Sequence, residues 1–207
     1  MTLETLAPVL GALGIGLALA GAPGPVQAIL LTESARGGVA RGMRALLGAF
    51  ATWATLLSLV ALGISLAPPE GVIFRILRLA GGALLIWLAV DGFRAVATSD
   101  GTDQRRGLPP FARGSLAVLL NPGAWLFLGA VASPVFANAS SLGGTANALL
   151  AAVAMMAGTV TGDLAVVLLG AYGIRRVGED RALLVRRALA VLLGLLGLWL
   201  LVGALIG

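Results

Sequence analysis

Apolar residues along this chain come in long runs, and short polar segments between them hold most of the charge. A membrane-spanning helix needs about 20 mostly apolar residues. Six stretches meet that length: about Leu6 to Leu31, Ala45 to Ala67, Val72 to Val96, Phe111 to Phe136, Thr145 to Ile174 and Ala188 to Ile206. The third is the least apolar. Twelve uncharged residues separate Arg78 from Asp91, so Arg75, Arg78, Asp91 and Arg94 must snorkel toward the interfaces. The pattern predicts an all-α membrane protein with six transmembrane helices in a single transmembrane domain over residues 1–207.

The polar segment "ATSDGTDQRRGLPP" divides the six stretches into two sets of three. Repeat one then covers about 1–98, a polar loop about 99–110, and repeat two about 111–207. Three is odd, so two related halves must be inverted across the membrane. "GALLIWLAV" at 82–90 matches "GLLGLWLLV" at 194–202 in Gly, Trp, Leu and Val. The first stretch of each half also carries a helix-breaking motif, "APGP" in one and "NPGA" in the other. Proline removes a backbone donor and costs about 3 kcal/mol inside a helix. Helices 1 and 4 are therefore predicted to be broken at these motifs.

Arginine placement fixes an expected orientation. Twelve of the fourteen arginines fall in the links after helices 1, 3 and 5, and the chain has no lysine. By the positive-inside rule those links are cytoplasmic and both termini lie outside. No Arg or Lys precedes the first apolar run, so a cleaved signal is not expected. The composition agrees with the pattern: 59% of the residues are hydrophobic and 11% are charged, against about 25% charged in soluble domains. The net charge of +5 belongs to the arginine links and does not call for a nucleic-acid partner. Cysteine and histidine are absent, which removes disulfides, thiol chemistry and Cys/His metal sites. No cofactor is expected.

The two breaks suggest a binding site. Asn121 before Pro122 reads as an N-cap followed by proline at the first helical position, and Pro25 takes the same position after Gly24. A helix start leaves free N–H groups and partial positive charge, which attract anions. Pro25 is about ten residues from the cytoplasmic end near Ser34 and Pro122 about eleven from the start near Phe111, so both lie roughly 15 Å from the same interface, near the midplane. Pro23, Gly24, Pro25, Gln27, Asn121, Pro122 and Gly123 are the candidate substrate-binding residues. The simpler reading is that the prolines only kink packed helices. Asp163 is read as the only acidic residue deep in a span, at the same depth. It is a candidate for proton coupling or contact with an ammonium group, or half of a buried ion pair. Thr52, Thr55 and Thr159 could line a cavity or bond to their own helices. The "GTVTG" glycines, Gly158 and Gly162, read as a packing face.

The segments "APGPVQAILL", "ARGGVARGMRALLGA", "RLAGGALLIWLAVDGFRA" and "FARGSLAVLLNPGAWLFL" resemble the LysE/RhtB family of amino-acid exporters over most of the chain. The resemblance implies an exporter of amino acids or similar zwitterions in the bacterial inner membrane, driven by the proton gradient, and a homodimer. Its partners would be an amino acid, protons and membrane lipids. One half would rock against the other during transport. The sequence departs from the family's pattern in three places. Val26 stands where a polar Asn or Asp is common, Gly123 replaces the lysine of "NPK", and "AFATWATLL" lacks the acidic residue often found in helix 2. Two other readings stay open: an exporter of cations or metal ions, and a non-transporting membrane partner subunit. One acidic residue makes a poor metal cage. An aspartyl protease would need two carboxylates, so no enzyme is expected.

Overall fold

The computed structural model describes residues 3–22, 24–63, 71–97, 107–175 and 179–206, and all regular structure among them is helical. In chain order the elements are α1 (Leu3–Gly21), α2 (Pro25–Ala61), α3 (Gly71–Ala97), α4 (Pro110–Leu119), α5 (Pro122–Phe127), a π-helical turn (Leu128–Ala132), α6 (Ser133–Arg175) and α7 (Glu179–Ile206). Four segments are long and apolar enough to cross a membrane: Pro25–Ala61, Gly71–Val90, Pro122–Gly173 and Arg187–Leu205. Thr5–Gly21 is a shorter apolar helix. Large apolar side chains such as Leu169, Leu184 and Leu205 point outward, as suits an apolar surrounding.

α2 and α6 each fold back on themselves at a pair of glycines. Gly37 and Gly38 have φ/ψ of −140/19° and 70/−167°. Gly143 and Gly144 repeat that conformation at −148/20° and 68/−172°. The second glycine of each pair has positive φ, which a side chain at Cβ opposes. Eight residues span about 12 Å along a straight helix. Yet Arg41 Nε lies 2.6 Å from Glu33 Oε2, and Asn147 Nδ2 donates to the Ala139 carbonyl at 3.0 Å. The chain therefore reverses at both corners. The sequence pattern puts Arg36, Arg41 and Arg44 in a loop. They stand instead on helix at the corner, because two glycines make the turn without a loop.

Glycines also set the helix pairings. A Cβ on Gly16 would overlap the Met155 carbonyl, and one on Gly158 the Leu13 carbonyl, so α1 lies directly against the last part of α6. Gly158 and Gly162 both serve this contact, as their spacing suggests. α2 meets α4 the same way: Gly48 faces the Phe111 carbonyl, Gly114 faces the Ala45 carbonyl, and Ser115 Oγ donates to the Gly48 carbonyl at 3.0 Å. α3 crosses α7 where a Cβ on either Gly82 or Gly197 would stand 2.9 Å from the other's carbonyl. Around that crossing Gly82 faces Leu201, and Gly194 faces Ala89. In the matched segments Gly82 corresponds to Gly194 and Ala89 to Leu201, so exchanging counterparts turns one contact into the other.

Candidate functional site

The first break separates α1 from α2. α1 ends with Ala22 donating to the Leu19 carbonyl. Gly24 is extended, has no side chain to cap with, and precedes Pro25 at the start of α2. Ala28 makes the first helical bond, to the Gly24 carbonyl at 3.0 Å, so the amides of Val26 and Gln27 have no intrahelical acceptor. The second break separates α4 from α5. Asn121 is extended, and its side chain accepts from the Gly123 amide at 3.0 Å. The carbonyl of Leu119, freed by the break, accepts from Trp125 Nε1 at 2.8 Å. The structure thus has the N-cap and first-position proline that the residue order predicts, and both helices stop as expected.

The two helix starts share one level. From Pro25 to the Gly37 corner, and from the first residue of α4 to Pro122, the chain advances about 18 Å. Those two ends are joined, because Arg113 Nη1 in the first turn of α4 donates to Glu33 Oε1 at 3.0 Å. The half-helices after the breaks run in opposite directions from that level. Between them lies a cavity of about 320 Å³, at the small end of the roughly 300–1,000 Å³ typical of small-molecule sites.

Gly24, Pro25, Gln27, Asn121, Pro122, Gly123, Thr159 and Asp163 all line this cavity. Pro23 lies outside the described residues. Asp163 is 2% exposed. Gln27 Nε2 donates to it at 3.4 Å, across from the first half-helix. No basic side chain among the described residues stands within ion-pair distance of it, so it is not half of a structural pair there. Thr159, one turn earlier, is buried and donates to the Met155 carbonyl at 3.0 Å. Thr52 and Thr55 do not line the cavity. Their hydroxyls turn back to the carbonyls of Gly48 and Ala51, one turn earlier, and Thr55 is exposed.

The cavity lining extends beyond the candidate substrate-binding residues. Arg78, expected to snorkel toward an interface, stands at the cavity wall. It is half-buried, lines the cavity, and donates from Nη1 to the Gly203 carbonyl at 2.7 Å. Trp53 and Trp199 line the cavity as well, Trp53 being held edge-on against Phe127 at 5.8 Å. Away from the cavity, at the Gly37–Gly38 corner, Glu33 is 1% exposed and so is a second buried carboxylate. Arg41 and Arg113 both bond to it, and Arg36 approaches to 4.0 Å. Arg113, expected in a polar link, is 3% exposed. Its guanidinium lies 5.5 Å from the centre of the Trp87 ring. Asp163 is therefore not alone among buried acids, but Glu33 is paired with arginines, and Asp163 has no basic partner among the described residues.

Long apolar helices, with helix breaks at Pro25 and Pro122 around a cavity with a buried carboxylate, define a helical membrane protein with an internal cavity. The chain matches the LysE type translocators over residues 17–204 and belongs to that family. It is similar to an uncharacterized membrane protein of Pseudomonas aeruginosa, 38% identical over 114 residues, 51% of this chain and 53% of that protein. The chain thus aligns with about half the length of the curated relative it matches. No solved structure matches it.

Proposed function

We propose that the chain is a secondary exporter of an amino acid or similar zwitterion, coupled to the proton gradient across the bacterial inner membrane. Its six spans are the broken pair α1 with the start of α2, the rest of α2, α3, the broken α4 with α5 and the start of α6, the rest of α6, and α7. The matched glycine corners and the exchangeable contacts at the α3–α7 crossing support two inverted halves, about 1–98 and 111–207, with both termini outside.

The observation that carries this reading is the shared cavity. Two half-helix starts and a buried carboxylate with no basic partner among the described residues converge on it. In this mechanism the helix starts favour the substrate carboxylate. Asp163 meets the ammonium group when the cavity is filled and holds a proton when it is empty, so the two cargoes exchange. Gln27 keeps the Asp163 carboxyl aimed into the cavity. A cation exporter fits less well, because no group of three or more metal-binding side chains stands together among the described residues.

The test is exchange of labelled amino acids in liposomes holding the purified protein, with and without a pH gradient. Exchange of at least one amino acid, accelerated by an opposing proton gradient, is expected. Divalent-cation flux without any amino-acid exchange would overturn the reading.

A further inference from the structure

We propose that Thr159 is a second ligand of the substrate's ammonium group, beside Asp163, and that the site thereby selects primary amines over N-methylated ones. The inference rests on the exporter reading above and adds a specificity-determining residue to that same cavity.

Thr159 and Asp163 stand four residues apart on α6, so their side chains share one helix face. Both line the cavity, and they are 3% and 2% exposed. A hydroxyl has one proton to donate and two lone pairs that accept. In Thr159 that proton goes to the Met155 carbonyl at 3.0 Å, one turn back. Its oxygen then meets a ligand only as an acceptor. An ionised Asp163 is likewise an acceptor only. Gln27 Nε2 donates to its Oδ1 at 3.4 Å, and a carboxylate has further lone pairs to accept more. These two side chains therefore offer a ligand acceptors and no donor.

The group that fits them is rich in donors. A primary ammonium carries three N–H groups and needs more than one acceptor once it leaves water. Side chains four residues apart on a helix have Cβ atoms about 5–6 Å apart. One nitrogen can span that gap with hydrogen bonds of about 2.9 Å to each oxygen. The substrate carboxylate is all acceptor, so it finds no partner on this face and is directed to the helix starts across the cavity. Thr52, Thr55 and Thr161 make the same bond to their own helices but do not line the cavity. Bonding back to the helix is thus ordinary here, and what distinguishes Thr159 is its place on the cavity wall beside Asp163.

Methylation replaces N–H donors with apolar groups. After two methylations one N–H remains, and it cannot serve both Thr159 and Asp163. A site built to bond a group rejects the analogue that lacks it. A hydrogen bond to a charged group corresponds to about 10-fold or more in affinity.

Ligand-induced stabilisation against thermal unfolding measures this selection. Purified full-length protein in detergent is titrated with each proteinogenic amino acid, and with the N,N-dimethyl form of every one that stabilises the parent. The parent should bind the primary form more tightly than the dimethyl form by about 10-fold or more. In Thr159→Val the primary form should weaken and the two forms should bind alike. Valine keeps the shape of threonine, so crowding by the added methyl groups is the same in both proteins. Thr159→Ser should keep the selection. A merely structural role would weaken both forms together and leave their ratio unchanged. Thr159→Ala, which also lacks the hydroxyl, applies the same criterion should Thr159→Val not fold.

A parent that binds the dimethyl form as tightly as the primary one would overturn the proposal, and so would a hydroxyl-free variant that keeps the parent's selection. Either result leaves the exporter reading standing if amino acids still exchange in liposomes. Stabilisation by no amino acid, together with no exchange in liposomes, would overturn the exporter reading itself.

Discussion

Glu33→Gln gives the most direct energetic test of the packing. The substitution keeps the size and one acceptor oxygen of the side chain but removes its charge. Glu33 is 1% exposed and serves Arg41 at 2.6 Å and Arg113 at 3.0 Å. Arg113 is 3% exposed and cannot turn to solvent, so it loses the charge of Glu33 without gaining water, whereas Arg41 at 17% retains some access to water. Removing one partner of a buried pair costs about 3–5 kcal/mol, and a partly exposed pair about 0–1 kcal/mol. The surviving amide bond to Arg113 places the total near the lower end, at about 3 kcal/mol. For a chain of this size that corresponds to a melting temperature lower by roughly 6–12 °C. Thermal unfolding of purified protein in one detergent measures it. Glu33→Gln combined with Arg113→Met should recover at least half of the loss, because the buried guanidinium is replaced by an apolar chain beside Trp87. A single variant within about 1 kcal/mol of the parent, or a double variant less stable than the single, would refute the argument.

The remaining predictions concern transport. Asp163→Asn should insert and melt at least as well as the parent, since a lone intramembrane carboxylate costs about 2.5–3.5 kcal/mol, yet gradient-driven export should vanish; unchanged transport would remove Asp163 from coupling. Asn121→Leu breaks the cap on Gly123, worth about 0.5–2 kcal/mol, and should lower transport more than folded yield; a well-folded, fully active variant would count against the second break as a binding element. A C-terminal alkaline phosphatase fusion should be active and a fluorescent-protein fusion dark, and the opposite pattern would reverse the topology. Cysteines at Ala89 and Gly194, whose Cβ positions are 3.7 Å apart in a chain with no native cysteine, should form a disulfide that leaves transport intact; transport lost on oxidation and restored by reductant would show that α3 and α7 must separate.

The site was legible where the chemistry is local. A proline with an N-cap inside an apolar run can do little else, so both breaks and their common level followed from spacing, and the structure joins them in one cavity. Asp163 stood out for the same reason, as a charge in the middle of hydrocarbon. Features that depend on chain reversal were not legible. Glu33 is eight residues from Arg41 in sequence, and only the glycine corner brings them together. Arg78 was expected at an interface because long cationic side chains usually reach water. It lies about 10 Å along α3 from the first residue of that helix, bonds to the Gly203 carbonyl on α7 and lines the cavity. Thr52 and Thr55 look polar in sequence, but each hydroxyl is consumed by its own helix.

The packing also changes what can move. Two independent halves would allow one to rock against the other, as the repeat pattern suggests. Here the halves are interleaved. α1 of the first half is pressed backbone-to-backbone against α6 of the second at Gly16 and Gly158, and α2 of the first against α4 of the second at Gly48 and Gly114. Separating whole halves would break both of these contacts and the Glu33–Arg113 bond at once. α3 and α7 are different. They pack extensively on each other and only sparsely on the remaining helices. The cavity lies along that sparse boundary, with Arg78, Leu196, Trp199 and Leu200 on the α3–α7 side and Gln27, Asn121 and Asp163 on the other. Motion concentrates where the fewest packed contacts must be lost, as in hinge and shear changes elsewhere. Any transport motion is therefore expected between the α3–α7 pair and the remaining bundle.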